Sequence, residues 1–264
     1  MKLKNKVAVI TGAGRGIGKS IALAFAREGA DLILGARTAE QIEEVKQEVL
    51  KNGVKAHAVP CNVSSAGDMG RLASETDQAF GRVDILVNNA GISKRSKFLE
   101  FEDETWLEVI KVNLFGAYLC TKAILPLIQK VSKGRILMMA STAAKAPVPF
   151  NTAYSASKHG LLGLTRSLAA EVALSGYPGI TVNAICPFFV DTDMFSGPQG
   201  YVAQISRDTD KPIEDVARNA VGRSLQGRIL RPEEIAALAV FLASDEAEGL
   251  TGQSINICGG AAFH

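Results

Sequence analysis

Hydrophobic and polar positions along the chain fall into two alternating patterns. Short runs dominated by Val, Ile, Leu and Ala occur at 7–10, 31–36, 56–60, 83–87, 135–140, 180–185 and 254–257. Most are continuous rather than alternating, the pattern of parallel strands covered on both faces. Between them lie longer segments of helical period. Ile17, Ile21, Ala24 and Phe25 recur at i, i+4, i+7 and i+8 after the first run, and Gly29 sits where that helix would stop. Thr38 and Gln41 have the spacing of a capping box for the next helix, which Gly53 would close. Repeated βα units of ~30 residues predict an α/β, Rossmann-type fold. Its doubly wound parallel sheet is expected to have about seven strands with helices on both faces. With no internal repeat or linker, residues 1–264 are read as one domain.

Two segments depart from this rhythm. Residues 193–231 contain no strand pattern, only a possible short helix at 213–221. A connection this long in a compact fold is usually functional, so a substrate lid is expected there. The helical pattern over 106–128 is apolar almost all round, so it must be covered on more than one side, in part by another subunit.

Hydrophobic residues make up 47% of the 264 positions and charged ones 21%, which fits a globular protein and not a disordered one. The 29 Lys and Arg nearly balance the 27 Asp and Glu, so the broad basic field of a nucleic-acid binder is absent and no nucleic-acid partner is expected. Glu108, Lys111, Lys122 and Pro126 interrupt the stretch nearest to a membrane span. Residues 1–6 run straight into the first strand without room for a signal peptide. A cytoplasmic location and no membrane association are therefore expected. The four Cys are scattered without a C-x-x-C pair, and neither His57 nor His159 suggests a metal site, so free thiols and no metal are expected.

The first strand runs into Thr11-Gly-Ala-Gly-Arg-Gly-Ile-Gly18. The literal G-x-G-x-x-G fails at Ile17, but Gly12, Gly16 and Gly18 lie between a strand and a helix. There the backbone of Gly12, Arg15, Gly16, Ile17 and Gly18 can approach a pyrophosphate. The second strand is followed by Arg37, where an NAD site normally carries an acid. Arg15 and Arg37 together would suit a ribose 2′-phosphate, so NADP(H) is favoured over NAD(H) as cofactor. Read one by one, a structural turn and two solvated guanidiniums remain the bland alternatives.

Tyr154-Ser-Ala-Ser-Lys158 places a phenol and an ammonium on one helix face. Ser141 ends the fifth apolar run, at the sheet edge where ligands bind. Combined with the glycine loop, Asn88-Asn-Ala-Gly91 and Asn113, these residues resemble the short-chain dehydrogenase/reductase family of short single-domain type, over residues 6–260. The resemblance implies that Tyr154 exchanges a proton with the substrate oxygen and that Ser141 hydrogen-bonds that oxygen. It implies that Lys158 favours the phenolate and holds ribose hydroxyls, and that Asn113 anchors a water in a proton relay. By the same resemblance Asn89, Ala90 and Gly91 line the adenosine and ribose. Asn62 and Val63 meet the adenine, while Pro187, Val190 and Thr192 grip the nicotinamide amide. The sequence departs from the family with Asn62 in place of Asp, Phe188 in place of the Gly after Pro187, and Cys258-Gly-Gly260 in place of D-G-G. An amide at 62 would still accept a bond from the adenine amino group. The last departure, with S-A-S-K-H-G, resembles aromatic-polyketide ketoreductases, while ketoacyl reductases are similar as well.

Phe98, Val148, Phe150, Phe188, Phe189, Met194, Phe195 and Tyr201 fall in the segments expected to frame the substrate, a composition that prefers a ring or acyl chain to a sugar. Lys94, Arg95, Lys97, Lys145 and Arg207 either greet a phosphopantetheine or CoA phosphate or are simply solvated. Val131-Ser-Lys133 and Leu174-Ser-Gly-Tyr177 lack the Arg with which similar fatty-acid reductases dock an acyl carrier protein, so that partner is only weakly supported. The expected activity is reversible NADP(H)-dependent reduction of a bulky cyclic ketone or β-ketoacyl thioester to a secondary alcohol. A catabolic NAD-dependent secondary-alcohol or hydroxyacyl dehydrogenase is the alternative, and a non-catalytic dinucleotide-binding regulator the remote one. The resemblance also implies a homotetramer using the helices at 106–128 and 152–175.

Overall fold

The computed structural model describes residues 1–263. The apolar runs form seven strands: β1 Val7–Thr11, β2 Asp31–Ala36, β3 Ala56–Pro60, β4 Ile85–Asn88, β5 Arg135–Met139, β6 Thr181–Pro187 and β7 Ser254–Ile257. They pair in parallel in the order β3-β2-β1-β4-β5-β6-β7. In β1, Ala8 lies between Leu32 of β2 and Ile85 of β4, so this strand has neighbours on both sides. Every residue of β1, β4, β5 and β6 is buried, which explains their continuous rather than alternating pattern.

The side chains of β1 supply both cores, because successive residues point to opposite faces. Ala8 and Ile10 pack with Ile21 and Phe25 of α1 (Gly16–Arg27), Val45 of α2 (Ala39–Leu50) and Ile235 further along the chain. Val9 faces the other way, toward Leu72 of α3 (Ala66–Phe80). Two more helices serve that second core, α5 Gly116–Ile128 and α6 Thr152–Leu174, while α4 Asp103–Ile110 packs against α6. The chain winds one way from β1 to β3 and the other way from β4 to β7, so a crevice opens at the carboxyl ends of β1 and β4.

Three local expectations are corrected. Thr38 does precede α2, but its side chain makes no capping bond. The apolar stretch over 106–128 is two α-helices joined by a π-helical turn at Lys111–Phe115, and that turn carries Asn113. By length and composition the path Asp103–Ile128, which holds an 18-residue window of mean hydropathy 1.2, is long and apolar enough to cross a membrane, despite its interrupting charges. Here Val109, Cys120, Ile124 and Ile128 are buried in the protein itself.

The segment 193–231 contains no strand among its described residues. It folds into α7 Asp193–Ser196, α8 Tyr201–Thr209 and α9 Ile213–Val221, around a small core of Phe195, Val202, Val216 and Ala220. Only α9 was legible in the sequence: α7 has four residues, and α8, although as long as α9, buries only Val202, whereas α9 buries Val216 and Ala220 one turn apart. Val190 and Leu230 form a bridge at the base of the segment, before α10 (Pro232–Ala243) returns to the sheet.

Candidate active site

The crevice begins with the loop after β1. Gly12 and Gly16 have φ of 65° and 52°, which a side chain would strain. A Cβ at Gly18 would stand 2.1 Å from the Gly12 carbonyl oxygen, so only hydrogen fits there. Gly18 thereby lets α1 start close against the loop. The loop is tied to the end of β4 from both sides. The Thr11 Oγ1 accepts from the Asn89 N–H at 3.0 Å and the Ala90 N–H at 3.2 Å. Asn89 Nδ2 donates to the Thr11 and Gly12 carbonyls at 3.0 and 3.1 Å. No acid occupies the first turn of α1 and Arg15 makes no capping bond, so the helix leaves its first N–H groups to an anion. This observation, with the close glycine approach, fits a dinucleotide pyrophosphate.

A continuous cleft of about 760 Å³ runs from this loop to the segment 193–231. Gly12, Arg15, Gly16 and Ile17 line it at one end, with Arg37, Asn62, Val63, Asn89, Ala90 and Gly91. Arg37 is exposed and has no ion pair with any described residue. Arg15, in contrast, pairs with Asp193 at 3.1 Å, with the two side chains 66% and 65% exposed, so of the two guanidiniums only Arg37 is without an ion pair among the described residues. Asn62 is a second correction: its Oδ1 accepts from the Ser64 N–H at 3.1 Å and the Ser64 hydroxyl at 2.8 Å. That turn consumes the acceptor reserved for the adenine amino group and leaves the amide NH2, a donor.

Ser141, Tyr154, Lys158, Pro187, Val190 and Thr192 line the middle of the cleft. Ser141 follows β5, and its Oγ accepts from the Ala143 N–H at 3.1 Å. Tyr154 lies in the first turn of α6 and Lys158 one turn on, which puts both on the sheet side. Lys158 is 3% exposed, with Nζ donating to the Met139 carbonyl at 2.6 Å and lying 5.4 Å from the centre of the Tyr154 ring. Burial pushes the Tyr154 phenol up, with a hydrogen bond to Ser141 pulling against it. Burial also pulls the Lys158 ammonium down, to about 8. Desolvation thus sets the direction for the phenol.

Asn113 does not line the cleft. Its Oδ1 accepts from the Ile92 N–H at 2.8 Å, while Nδ2 donates to the Ile92 carbonyl at 2.9 Å and to Ser157 Oγ at 3.0 Å. It clamps the loop after β4 to α6. A Cβ on Gly91 would lie 3.3 Å from Asn113 Oδ1 and 3.6 Å from Lys158 Nζ, so that glycine holds open the space between them.

At the far end Phe188, Phe189, Met194, Phe195 and Tyr201 line the cleft. Phe189 is the hub, with ring centres of Phe188, Phe195 and Tyr201 at 4.2, 4.8 and 4.7 Å. Phe98 and Phe150 are not part of this wall. Phe98 sits in a surface 3-10 turn at 73% exposure, and Phe150, with φ of 64°, is 51% exposed. Sequence reasoning missed Ser93 and Asn151, both cleft-lining, whose side chains hydrogen-bond at 3.1 Å. Buried polar residues carry no periodic signal, and these two lie 58 positions apart.

The arrangement presents two hydroxyls and a buried ammonium to the middle of a cleft whose one end suits phosphate and whose other end is aromatic. Comparison with known proteins agrees with that chemistry. A family model for short chain dehydrogenases matches residues 6–199. Over 98% of its length the chain is 38% identical to 97% of a 3-oxoacyl-[acyl-carrier-protein] reductase from Synechocystis sp.. Over 99% of its length it is 41% identical to 96% of oxidoreductase UcpA from Salmonella typhimurium. The crystal structure of a point variant of actinorhodin polyketide ketoreductase with NADPH matches with a TM-score of 0.92 and 35% identity, over 98% of both chains. From its strand order, its glycine loop and these matches, the chain belongs to the short-chain dehydrogenase family, oxidoreductases that bind a nicotinamide dinucleotide and act on CH–OH or C=O groups.

Proposed function

We propose that the protein is an NADPH-dependent ketoreductase that reversibly converts a bulky cyclic ketone or a β-ketoacyl thioester into a secondary alcohol. The observation that carries this reading is the placement of Ser141, Tyr154 and Lys158 midway along one cleft, between the glycine loop and the Phe189 ring cluster. The backbone of Gly12, Arg15, Gly16, Ile17 and Gly18 would hold the pyrophosphate, and Arg37 the 2′-phosphate. Asn62 would offer its NH2 to an adenine ring nitrogen, beside Val63. Asn89, Ala90 and Gly91 would flank the ribose, while Pro187, Val190 and Thr192 would hold the nicotinamide amide. When bound, the dinucleotide supplies the hydride.

The chain's own residues do the rest. The Ser141 and Tyr154 hydroxyls donate hydrogen bonds to the carbonyl oxygen, stabilising the negative charge that develops there. Tyr154 then passes its proton to that oxygen. A phenol raised by burial keeps this proton at neutral pH, which suits the reductive direction. Lys158 binds ribose hydroxyls and balances the phenolate left behind. Asn113 positions the loop that carries Gly91, and a water relay through its remaining lone pair is part of the same proposal.

The NADPH preference is supported by the unpaired Arg37 and by the lack of an acid directly after β2. The Arg15–Asp193 pair narrows this support to one guanidinium. We further propose a cytoplasmic homotetramer built through α4, α5 and α6, since Phe115 and Tyr118 stack at 5.8 Å on a face where both stay nearly half exposed. An acyl carrier protein remains a weak candidate partner.

The test follows absorbance of reduced nicotinamide with bicyclic ketones, aryl ketones and β-ketoacyl thioesters, using NADPH and NADH in parallel. Turnover with NADPH, lost by ~10³-fold or more in Tyr154→Phe with NADPH affinity retained, is expected. Equal use of NADH would overturn the cofactor reading and favour the catabolic alternative. Retained turnover in Tyr154→Phe would overturn the mechanism.

A further inference from the structure

Arg95, in the loop after β4, is a half-buried residue whose side chain is nearly covered, whereas Lys94 before it is exposed. Its side chain is 7% exposed, yet Nε has no hydrogen-bond partner, and one bond to the Pro149 carbonyl at 3.3 Å is all the guanidinium donates. Removing a cation from water on such terms is unfavourable unless other contacts offset it. Those contacts come from three directions. The guanidinium carbon lies 5.1 Å from the centre of the Tyr201 ring and 5.8 Å from that of Phe150. Asp208 Oδ2 lies 4.0 Å from Nε. A planar guanidinium can stack against two rings and still face a carboxylate at its edge.

Tyr201 and Asp208 are both on α8. Among the described residues, every ion pair and side-chain hydrogen bond that α8 makes beyond the segment 193–231 goes to Arg95. The other side of the contact is firmly built. The Ser96 N–H donates to the Phe150 carbonyl at 3.0 Å, and Asn151 Nδ2 donates to Ser93 Oγ at 3.1 Å. Phe150 itself is held at φ of 64°, a conformation that aims its ring at Arg95 instead of the cleft. Tyr201 turns its ring to the cleft and to Phe189.

We infer that Arg95 is a positioning residue that pins α8 across the substrate end of the cleft and, through Tyr201, sets the size of the ketone admitted. The size claim rests on the ketoreductase reading; the pin does not. Hydrogen exchange tests the pin directly, on the full chain with NADPH present, comparing wild type, Arg95→Met, Arg95→Lys and Asp208→Asn. Exchange over 201–209 should be about tenfold faster in Arg95→Met, equivalent to about 1.4 kcal/mol of opening free energy. β5 and α10 should not change, and Arg95→Lys should be intermediate.

In kinetics, the KM of Arg95→Met for a bulky bicyclic ketone should rise about tenfold with kcat within about twofold, while a small aliphatic ketone is unaffected. A general structural defect would instead lower kcat for both. Unchanged exchange over 201–209 overturns the pin. Faster exchange with unchanged KM for the bulky ketone overturns the size-setting role. Should Arg95→Met not fold, Asp208→Asn, altered at a half-exposed residue, decides by the same two readouts. A wild type inactive on every ketone would sink the ketoreductase reading and leave the pin to the exchange data alone.

Discussion

Lys158 should make the free protein less stable than it could be. Burial lowers its ammonium from an ordinary 10.5 to about 8. At about 1.4 kcal/mol per pH unit, the charged lysine costs roughly 3 kcal/mol at pH 7 relative to a side chain that never ionises. Lys158→Met removes that cost with a side chain of similar length. It also strands the Met139 carbonyl, which now accepts from Nζ at 2.6 Å, a loss of about 1–2 kcal/mol. The variant is therefore expected to be more stable by about 2 kcal/mol at pH 7, or about 4–8 °C in Tm. The sign of the pH dependence follows from linkage. Between pH 8 and 10.5 the unfolded chain keeps a proton that the folded chain has shed, so wild-type stability rises with pH in that window. Below pH 8 both states are protonated and the full cost stands. The advantage of Lys158→Met is thus constant below about pH 7 and shrinks toward pH 10. Urea unfolding followed by circular dichroism, at both pH values and without added dinucleotide, measures the difference. A Met variant less stable than wild type at pH 7, or an advantage that grows with pH, would refute the reasoning. Saturating NADPH should reverse the order, since wild type would gain about 2.7 kcal/mol at a hundred times Kd.

Two further outcomes follow from the dinucleotide end of the cleft. Gly18→Ala puts a methyl 2.1 Å from the Gly12 carbonyl oxygen and 2.5 Å from Asn89 Nδ2, so the loop must move and NADPH titration should show at least a hundredfold weaker binding, about 2.7 kcal/mol. Wild-type affinity in that variant would mean that the loop does not cradle the pyrophosphate. Arg37→Leu should weaken NADPH by about tenfold or more, the worth of one charge-assisted hydrogen bond, and leave NADH affinity unchanged. Equal losses for both dinucleotides would remove Arg37 from the 2′-phosphate.

Which parts were legible in advance depends on how locally each was encoded. The strands were legible because sheets covered on both faces demand continuous apolar runs, as at 7–10 and 136–140. Gly12, Gly16 and Gly18 were legible because positive φ at the first two and a steric clash at the third favour glycine there, and Tyr154 with Lys158 because one helical turn joins them. The π turn at Lys111–Phe115 was not, since its residues continue the helical pattern on both sides. Phe98 and Phe150 were misplaced for a related reason: an aromatic in a pocket-framing segment says nothing about which way its loop turns it.

The sequence by itself therefore determined the fold class and singled out the glycine loop and the candidate residues Ser141, Tyr154 and Lys158, through short spacings and steric necessity. Only the tertiary structure decided that Arg15 pairs with Asp193, that the Asn62 carbonyl is spent on Ser64, and that burial raises the Tyr154 phenol against a hydrogen bond to Ser141. It also brought the Arg95 guanidinium within 5.8 Å of the Phe150 ring centre and 5.1 Å of the Tyr201 ring centre. Each of these is set by desolvation or by partners distant in the chain or across a turn, and neither composition nor periodicity encodes which polar groups meet once the sheet has closed.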